Sequence, residues 1–379
     1  VLNKLKKLDW GILLILICLM AVSAVAVYSA TSNTSVFYTR QLMYYGIGFA
    51  IAILAVLFDY RIVLKSWYVL YGIGIALLIL VYFAGAEING AKGWFQFGSL
   101  SFQPAEFMKI ILIIGIAFLL GRRQGDRLNF STDILTIGAF SFLPFLLVMI
   151  QPDLGNAIIY IVIVIGMLWI GNVKYTHVAI GLAIAVGFIM LFMFLFSTFN
   201  TEIKDYLVEH EKKHWYERIN TFVNPEEADP DAKRQSENAQ IAVGSGGLSG
   251  DGFLKGDMKN GGFVPYTYSD SIFVVIGEEF GFQGSAILLL LYFLLIYRMI
   301  IIAFKCYDRR AAFIVIGIVS MFVFQVFQNI GMMIGLMPIT GITLPFVSYG
   351  GTSLVLNMAS IGLVFSIKAH QEVYELADN

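Results

Sequence analysis

Where the polar sequence before Asp270 gives way to apolar sequence, three carboxylates follow in short order: Asp270, Glu278 and Glu279, within FVPYTYSDSIFVVIGEEFGFQG from Phe263 to Gly284. A charge inside a membrane span costs about 2.5–3.5 kcal/mol on insertion scales, so it is placed against a partner, water or a ligand. A carboxylate at the mouth of a span, below a loop long enough to be a lid, is positioned to act as a general base. Asp before an apolar run is also a favoured helix N-cap, and this purely structural role stands beside the catalytic one. Three further groups have chemistry in them. QPAEFMKIIL places Glu106 and Lys109 three apart on one helical face behind Pro104, a spacing that suits a buried ion pair. QPDLGNA puts Asp153 at a turn and helix start. QNIGMMIGLMPITGITLPFVSYGGTS, from Gln328 to Ser353, is apolar, rich in Gly and Pro and free of charge. Non-helical backbone of this kind is tolerated at membrane depth only when packed in protein or lining a cavity. His177, His210, His214 and His370 are scattered, no His/Cys/Asp cluster has metal-ligand spacing, and no GxSxG is present.

The elements that must position these residues are membrane spans. The chain is 58% hydrophobic and only 13% charged, far from a soluble composition, and the useful unit is a span of about 20 apolar residues. Hydropathy yields an all-α, polytopic membrane protein with ten spans: Trp10–Ala30, Gln41–Asp59, Trp67–Gly85, Ala105–Gly121, Ile134–Ile150, Asn156–Gly171, His177–Phe199, Ser271–Ile301, Ala312–Met337 and Gly350–Ala369. The first resembles a signal peptide but reads as a retained span. Lys4, Lys6, Lys7, Arg61, Lys65, Arg122, Arg123, Arg127, Lys174, Arg298, Lys305, Arg309, Arg310 and Lys368 fall on one side, whereas the opposite short loops keep only Arg40 and Lys92. The positive-inside rule then places both termini in the cytoplasm and Asp270 at the outer face. The whole of 1–379 reads as a single membrane domain with one large extracytoplasmic loop, 200–269, between spans seven and eight. That loop begins with Leu207, Trp215, Ile219 and Phe222 at near-helical spacing, as in a surface helix. It continues through NPEEADPDAKRQSE as a solvated loop and ends in the glycine-rich run 243–262. Net charge is −1 and gives no reason to expect nucleic acid. Cys18 and Cys306 suggest no disulfide. No internal repeat supports a paired-half transporter. Asp153, Asp270 and the Pro338–Ser353 connection share the outer face with Glu106 and Lys109 just below, which suggests a cavity opening outward.

At these same residues the chain resembles the shape, elongation, division and sporulation (SEDS) family, typified by RodA and FtsW. The matching stretches are Gln103–Lys109, Gln151–Gly155, Ile241–Leu248, Asp270 with Glu278–Gly281, Gln328–Gly331 and Pro345–Ser353, in order across nearly the whole chain. The chain departs from the family's pattern at Tyr266 and Tyr268, which stand at an acidic and a His position. It departs again at Gly93, where many members have Arg and Lys92 must supply the charge, and at Asn156. The resemblance implies a peptidoglycan glycosyltransferase, RodA-like, that polymerises lipid II into a nascent glycan strand on the outer face of the cell membrane. A class B penicillin-binding protein and other elongation or division membrane proteins would be its partners. Asp270 would be the catalytic base. Lys109, Glu106, Arg218, Lys92, Asp153, Glu279, Ser348 and Ser353 would bind substrate or give electrostatic support. A divalent cation, Mg or Mn, is the one cofactor implied. A lipid II flippase, an FtsW-like division polymerase and a non-enzymatic scaffold are the competing readings.

Overall fold

In hydrocarbon every backbone N–H and C=O needs a partner within the protein, so apolar runs of this length cross as helices. A computed structural model describes residues 4, 6–31, 35–88, 91–98, 100–123, 125–209, 216, 220 and 230–375, and it is almost wholly helical. Helices α1 (Trp10–Ala30), α2 (Ser35–Ala55), α3 (Tyr60–Lys65) and α4 (Trp67–Ala84) lead into a small antiparallel sheet. The sheet has strands β1 (Ala86–Ile88), β2 (Ala91–Phe97) and β3 (Leu100–Phe102) in the order β1-β2-β3. Then come α5 (Pro104–Leu120), α6 (Leu135–Ile150), α7 (Leu154–Ile170), α8 (Tyr175–Thr198) and α9 (Asn200–Glu209). The chain closes with α10 (Pro230–Ser245), the short α11 (Asp257–Asn260), α12 (Ile272–Phe304), α13 (Arg309–Met333) and α14 (Gly351–Glu375).

Eight segments of the described residues are long and apolar enough to cross a membrane: α1, α4, Pro104–Arg123, Phe130–Ile150, α8, α12, α13 and Gly351–Gln371. The two other expected spans are helices of a different kind. The span read as Gln41–Asp59 is helical from Ser35 to Ala55, and the one read as Asn156–Gly171 is the shorter apolar helix Leu154–Ile170. Helix α2 carries polar side chains because they are used inside: Gln41 is fully buried and hydrogen-bonded. The lipid-facing extreme is α8, exposed almost all round with apolar side chains, as a peripheral span should be. The enclosed centre is α5, α13 and α14, whose buried residues join one core with α1 and α12.

Two loop assignments change. Pro230–Ser245, whose first part reads as solvated loop, is a helix, because Ala239 and Ala242 bury one face against α12. The stretch before α5 is the three-stranded sheet. Of the surface helix expected around 207–222, Leu207 belongs to α9; Trp215, Ile219 and Phe222 lie outside the described residues.

The glycine-rich run does what dense glycine permits, which is backbone against backbone. Helix α12 breaks at Gly281, φ +60°, and residues 246–252 fill the breach. Phe282 N donates to Gly247 O at 2.9 Å and Gln283 N to Leu248 O at 3.1 Å, while Asp251 N and Gly252 N donate to the Glu278 and Glu279 carbonyls. A Cβ at Gly250 would collide with the Glu279 carbonyl.

Candidate active site

Among the described residues four aspartates cap helices: Asp9 accepts from Ile12 N, Asp59 from Arg61 N, Asp153 from Asn156 N and Asp308 from Arg310 N. Asp270 does not. The N-cap of α12 is Ser271, whose side chain makes no cap bond. Asp270 instead ends a tight turn in which Ser269 N and Ser271 N both donate to Tyr266 O, with Tyr266 at φ +54°. Its side chain is half-buried and faces Gly341 of the α13–α14 connection, where a Cβ would lie 3.8 Å from Asp270 Oδ2.

Three residues, Asn329, Ser348 and Tyr349, fix that turn to the connection. Asn329, fully buried on α13, donates from Nδ2 to both Asp270 O and Ile342 O at 2.7 Å. Ser348 Oγ donates to Ser269 O at 2.6 Å and accepts from Leu344 N. Tyr349 N donates to Tyr268 O at 2.9 Å. Burial, with Tyr266, Asp270 and Tyr349 nearby, raises the Tyr268 hydroxyl above the usual phenol range, so this ring stays neutral beside the carboxylate.

The connection itself is non-helical backbone at membrane depth, and side chains from four helices satisfy it. The hydroxyls of Tyr45 and Tyr292 donate to Phe346 O and Pro345 O, and Ser23 Oγ to Val347 O. Gln41 Nε2 donates to Ser348 O and Gln328 Nε2 to Pro338 O.

The remaining expected residues meet the same connection from its other side. Ser353 Oγ lies 3.3 Å from both Thr343 Oγ1 and Glu106 Oε2, and Glu106 Oε2 is 2.7 Å from Lys109 Nζ. Lys109 is 1% exposed, and its ammonium faces Glu106 as an ion pair without a well-oriented hydrogen bond. Gly155 packs against Ile342 and Thr340 O, which draws in the start of α7. There Asp153 Oδ2 accepts from Gln103 Nε2 at 2.7 Å and Asn156 Nδ2 at 2.8 Å. The Asp153, Glu106–Lys109 and Asp270 segments therefore converge on residues 338–353.

Glu278 and Glu279 turn elsewhere. Glu278 accepts the Met258 and Lys259 N–H groups at the start of α11. Glu279, 1% exposed, pairs with Lys259 Nζ at 2.6 Å and accepts from Ser29 Oγ. Together they tie the glycine-rich loop to α1 and α12. Lys92 is exposed on β2, opposite Glu87, and Arg218 lies outside the described residues. Asn329, Gln41 and Lys259 carry roles that the sequence reading did not assign. The available signal was Asn or Gln within apolar sequence, which must find a partner inside. Among the described residues no three His, Cys, Asp or Glu side chains gather to hold a metal ion.

Residues 5–373 match the family model FTSW_RODA_SPOVE, described as cell cycle protein. Stage V sporulation protein E of Bacillus subtilis is 32% identical, with 96% of this chain and 98% of that protein covered. Peptidoglycan glycosyltransferase MrdB of Escherichia coli K12 is 32% identical over 97% of this chain and 95% of its own. Among solved structures, a chain of a peptidoglycan synthase complex that coordinates polymerization and crosslinking superposes with a TM-score of 0.76 at 29% identity, covering 96% of this chain and 98% of its own. Thermus thermophilus rod shape determining protein RodA superposes with 0.70 at 28% identity, covering 96% and 97%.

Proposed function

The chain belongs to the FtsW/RodA/SpoVE family of cell cycle proteins, and from that premise we propose that Asp270 is the general base of its glycosyl transfer. The protein is a multi-pass membrane peptidoglycan glycosyltransferase that polymerises lipid II. The observation that carries the Asp270 assignment is its carboxylate beside Gly341, excused from capping and held through its own backbone by Asn329.

A sugar 4-hydroxyl is a weak nucleophile at neutral pH. As its oxygen bonds the donor's anomeric carbon, its proton passes to Asp270, a step that contributes about 10²–10⁴-fold. The bond from that carbon to the diphosphate breaks on the opposite face, giving inversion and releasing polyprenyl diphosphate. Negative charge grows on the leaving group, and cations on the outer side would stabilise it: Arg218, Lys92 and Arg40, the last beside Gln41 at that end of α2. Lys109, locked to Glu106, shapes the floor through Ser353 and Thr343, and Ser348 holds the turn that carries the base. A bound Mg²⁺ or Mn²⁺ would supply further charge stabilisation to the diphosphate leaving group. An apolar groove of about 580 Å³ between α10, α12 and α13, lined by Phe273, Phe282, Leu289 and Ile330, starts one helical turn from Asp270 and suits a polyprenyl tail.

The lysine and arginine distribution supports an outward-facing site with both termini cytoplasmic, and a class B penicillin-binding protein is the partner that would cross-link the product. Elongation and division roles are not separated by identity, since MrdB of Escherichia coli K12 stands at 32% and relatives named FtsW at 29–34%.

The test is Asp270→Asn, purified in detergent and given lipid II. Normal folded yield with no glycan strands is expected; wild-type polymerisation would remove Asp270 as the base. Because no membrane separates two compartments in detergent, strand formation by the native chain also rules out a pure flippase.

A further inference from the structure

Beside Asp270 four aromatic rings from three distant segments of the chain close on one another. Phe37 and Tyr44 come from the N-terminal half of α2, Tyr268 from the turn that carries Asp270, and Tyr349 from the α13–α14 connection. Tyr349 is the hub. Its ring centroid lies 5.1 Å from Phe37, 6.0 Å from Tyr268 and 6.4 Å from Tyr44, each time edge to face, and Phe37 lies 4.8 Å from Tyr268. Glycine makes room for the cluster: a Cβ at Gly351, in the first turn of α14, would come 3.1 Å from Tyr44 Cζ and 3.2 Å from its hydroxyl.

Packing alone does not call for these residue types. A wall that met only core or lipid would be served by Leu, Ile or Phe, whereas Tyr joins an apolar ring to a hydroxyl that seeks a polar partner. Among the described residues the Tyr44, Tyr268 and Tyr349 hydroxyls make no hydrogen bond to another protein group. Tyr44 is 4% exposed and seats the cluster on the protein, while Phe37, Tyr268 and Tyr349 are half-buried and keep ring surface open. Asp270 and Tyr349 both act electrostatically on the Tyr268 hydroxyl, so the phenols and the carboxylate share one place. Apolar and aromatic walls with a few convergent polar groups are how ligand sites are built. A pyranose with equatorial substituents fits this wall: its axial C–H bonds make two apolar faces, and its hydroxyls ring the edge. A polyprenyl tail has no use for the phenol hydroxyls, and a diphosphate is held by cations rather than by rings.

We propose that Phe37, Tyr44, Tyr268 and Tyr349 form the platform for the acceptor sugar. The pyranose that carries the reacting 4-hydroxyl stacks on the open ring surface, and the phenol hydroxyls bond the groups at its edge. This assignment rests on Asp270 as the base, because the sugar that gives Asp270 its proton must lie against the wall beside that carboxylate. Tyr268 contributes most, standing two residues from Asp270 on the turn that Ser348 and Tyr349 hold.

Saturation-transfer NMR on the purified full-length Asp270→Asn chain tests it, with a β-1,4-linked N-acetylglucosamine tetramer as the sugar probe and a free stem peptide as the competing probe. The tetramer should bind with strongest transfer at its axial ring protons. Tyr268→Leu should weaken that binding at least fivefold, and Tyr268→Phe, which keeps the ring, no more than threefold. Phe37→Leu is read in parallel, in case Tyr268→Leu fails to fold, and should weaken binding at least threefold. With Asp270 restored, Tyr268→Leu should raise KM for lipid II at least fivefold while kcat changes less than threefold, a split that mere loss of folded protein does not produce. Absent tetramer binding, or binding that survives both leucine substitutions, overturns the proposal. So does a stem peptide that binds in place of the tetramer and is lost with the same substitutions. The base is judged apart from the platform: polymerisation by Asp270→Asn would remove the base, whereas sugar binding is read in a chain that lacks that carboxylate.

Discussion

Charged side chains in this protein divide by how completely they are neutralised. Glu279 with Lys259, and Glu106 with Lys109, are closed pairs almost without solvent contact. Breaking one side of such a pair costs about 3–5 kcal/mol, because the survivor is left buried and unpaired. Lys109→Ala should therefore reduce folded yield and thermal stability sharply, and adding Glu106→Gln should recover much of the loss; normal yield with lost polymerisation would give Lys109 a catalytic role. Asp9 supplies the pH-sensitive case. Burial works to raise its carboxyl, but hydrogen bonds from Arg298, Lys368 and the Ile12 N–H outweigh burial and leave it below the usual carboxylate range. A carboxyl lowered on folding stabilises above its unfolded value, near 3.9, and loses that contribution as pH falls through the folded one. The melting-temperature deficit of Asp9→Asn should thus be constant from about pH 8 to 5 and shrink below about pH 4. A deficit that persists at the acid end would mean that packing, not charge, holds the position.

The α13–α14 connection is the element on which the site depends. It holds no helix or strand, yet Ser23, Gln41, Tyr45 and Tyr292 satisfy its carbonyls from three different helices. That arrangement makes the connection rigid enough to locate Asp270 opposite Gly341. Asn329 is the clamp between the two, and an unsatisfied buried carbonyl costs about 1–3 kcal/mol. Asn329→Ala should lower kcat for lipid II polymerisation at least tenfold while KM moves less than threefold, with folded yield checked by size exclusion. An unchanged kcat would show that Asp270 holds its place without the clamp. The apolar, glycine-rich character of this connection was legible in the sequence, as was its need for enclosure. Which side chains enclose it was not, because Ser23 and Val347 are 324 residues apart.

The whole molecule reads as a bundle with two chemically distinct ends, one holding Asp270 and the other Arg61, Arg309 and Arg310. Orientation can be checked at single positions. Ser249 is exposed beside the Gly281 kink of α12 and Lys305 just beyond its C-terminus. In a background lacking Cys18 and Cys306, Ser249→Cys should react with an impermeant maleimide in intact cells, and Lys305→Cys only after permeabilisation. The reverse pattern would invert the topology. Removing Cys306 is a precaution of little consequence, since burial pushes its thiol up to about 11 and slows its reaction.

Composition and hydropathy determined by themselves that this chain is a helical membrane protein, and charge asymmetry pointed to its orientation. Both are sums over many residues, and such sums survive ignorance of the fold. The order of the QPAEF, QPDLG and GGTS stretches was likewise sufficient to anticipate the family. What only the tertiary structure decided is where each carboxylate goes. Asp270, the base expected from the sequence, lies beside Gly341 of the α13–α14 connection, whereas Glu279, expected to support the site, is closed off by Ser29 and Lys259. A side chain's fate in a low-dielectric interior is set by the partner that reaches it through space, and one of those partners lies 250 residues away along the chain.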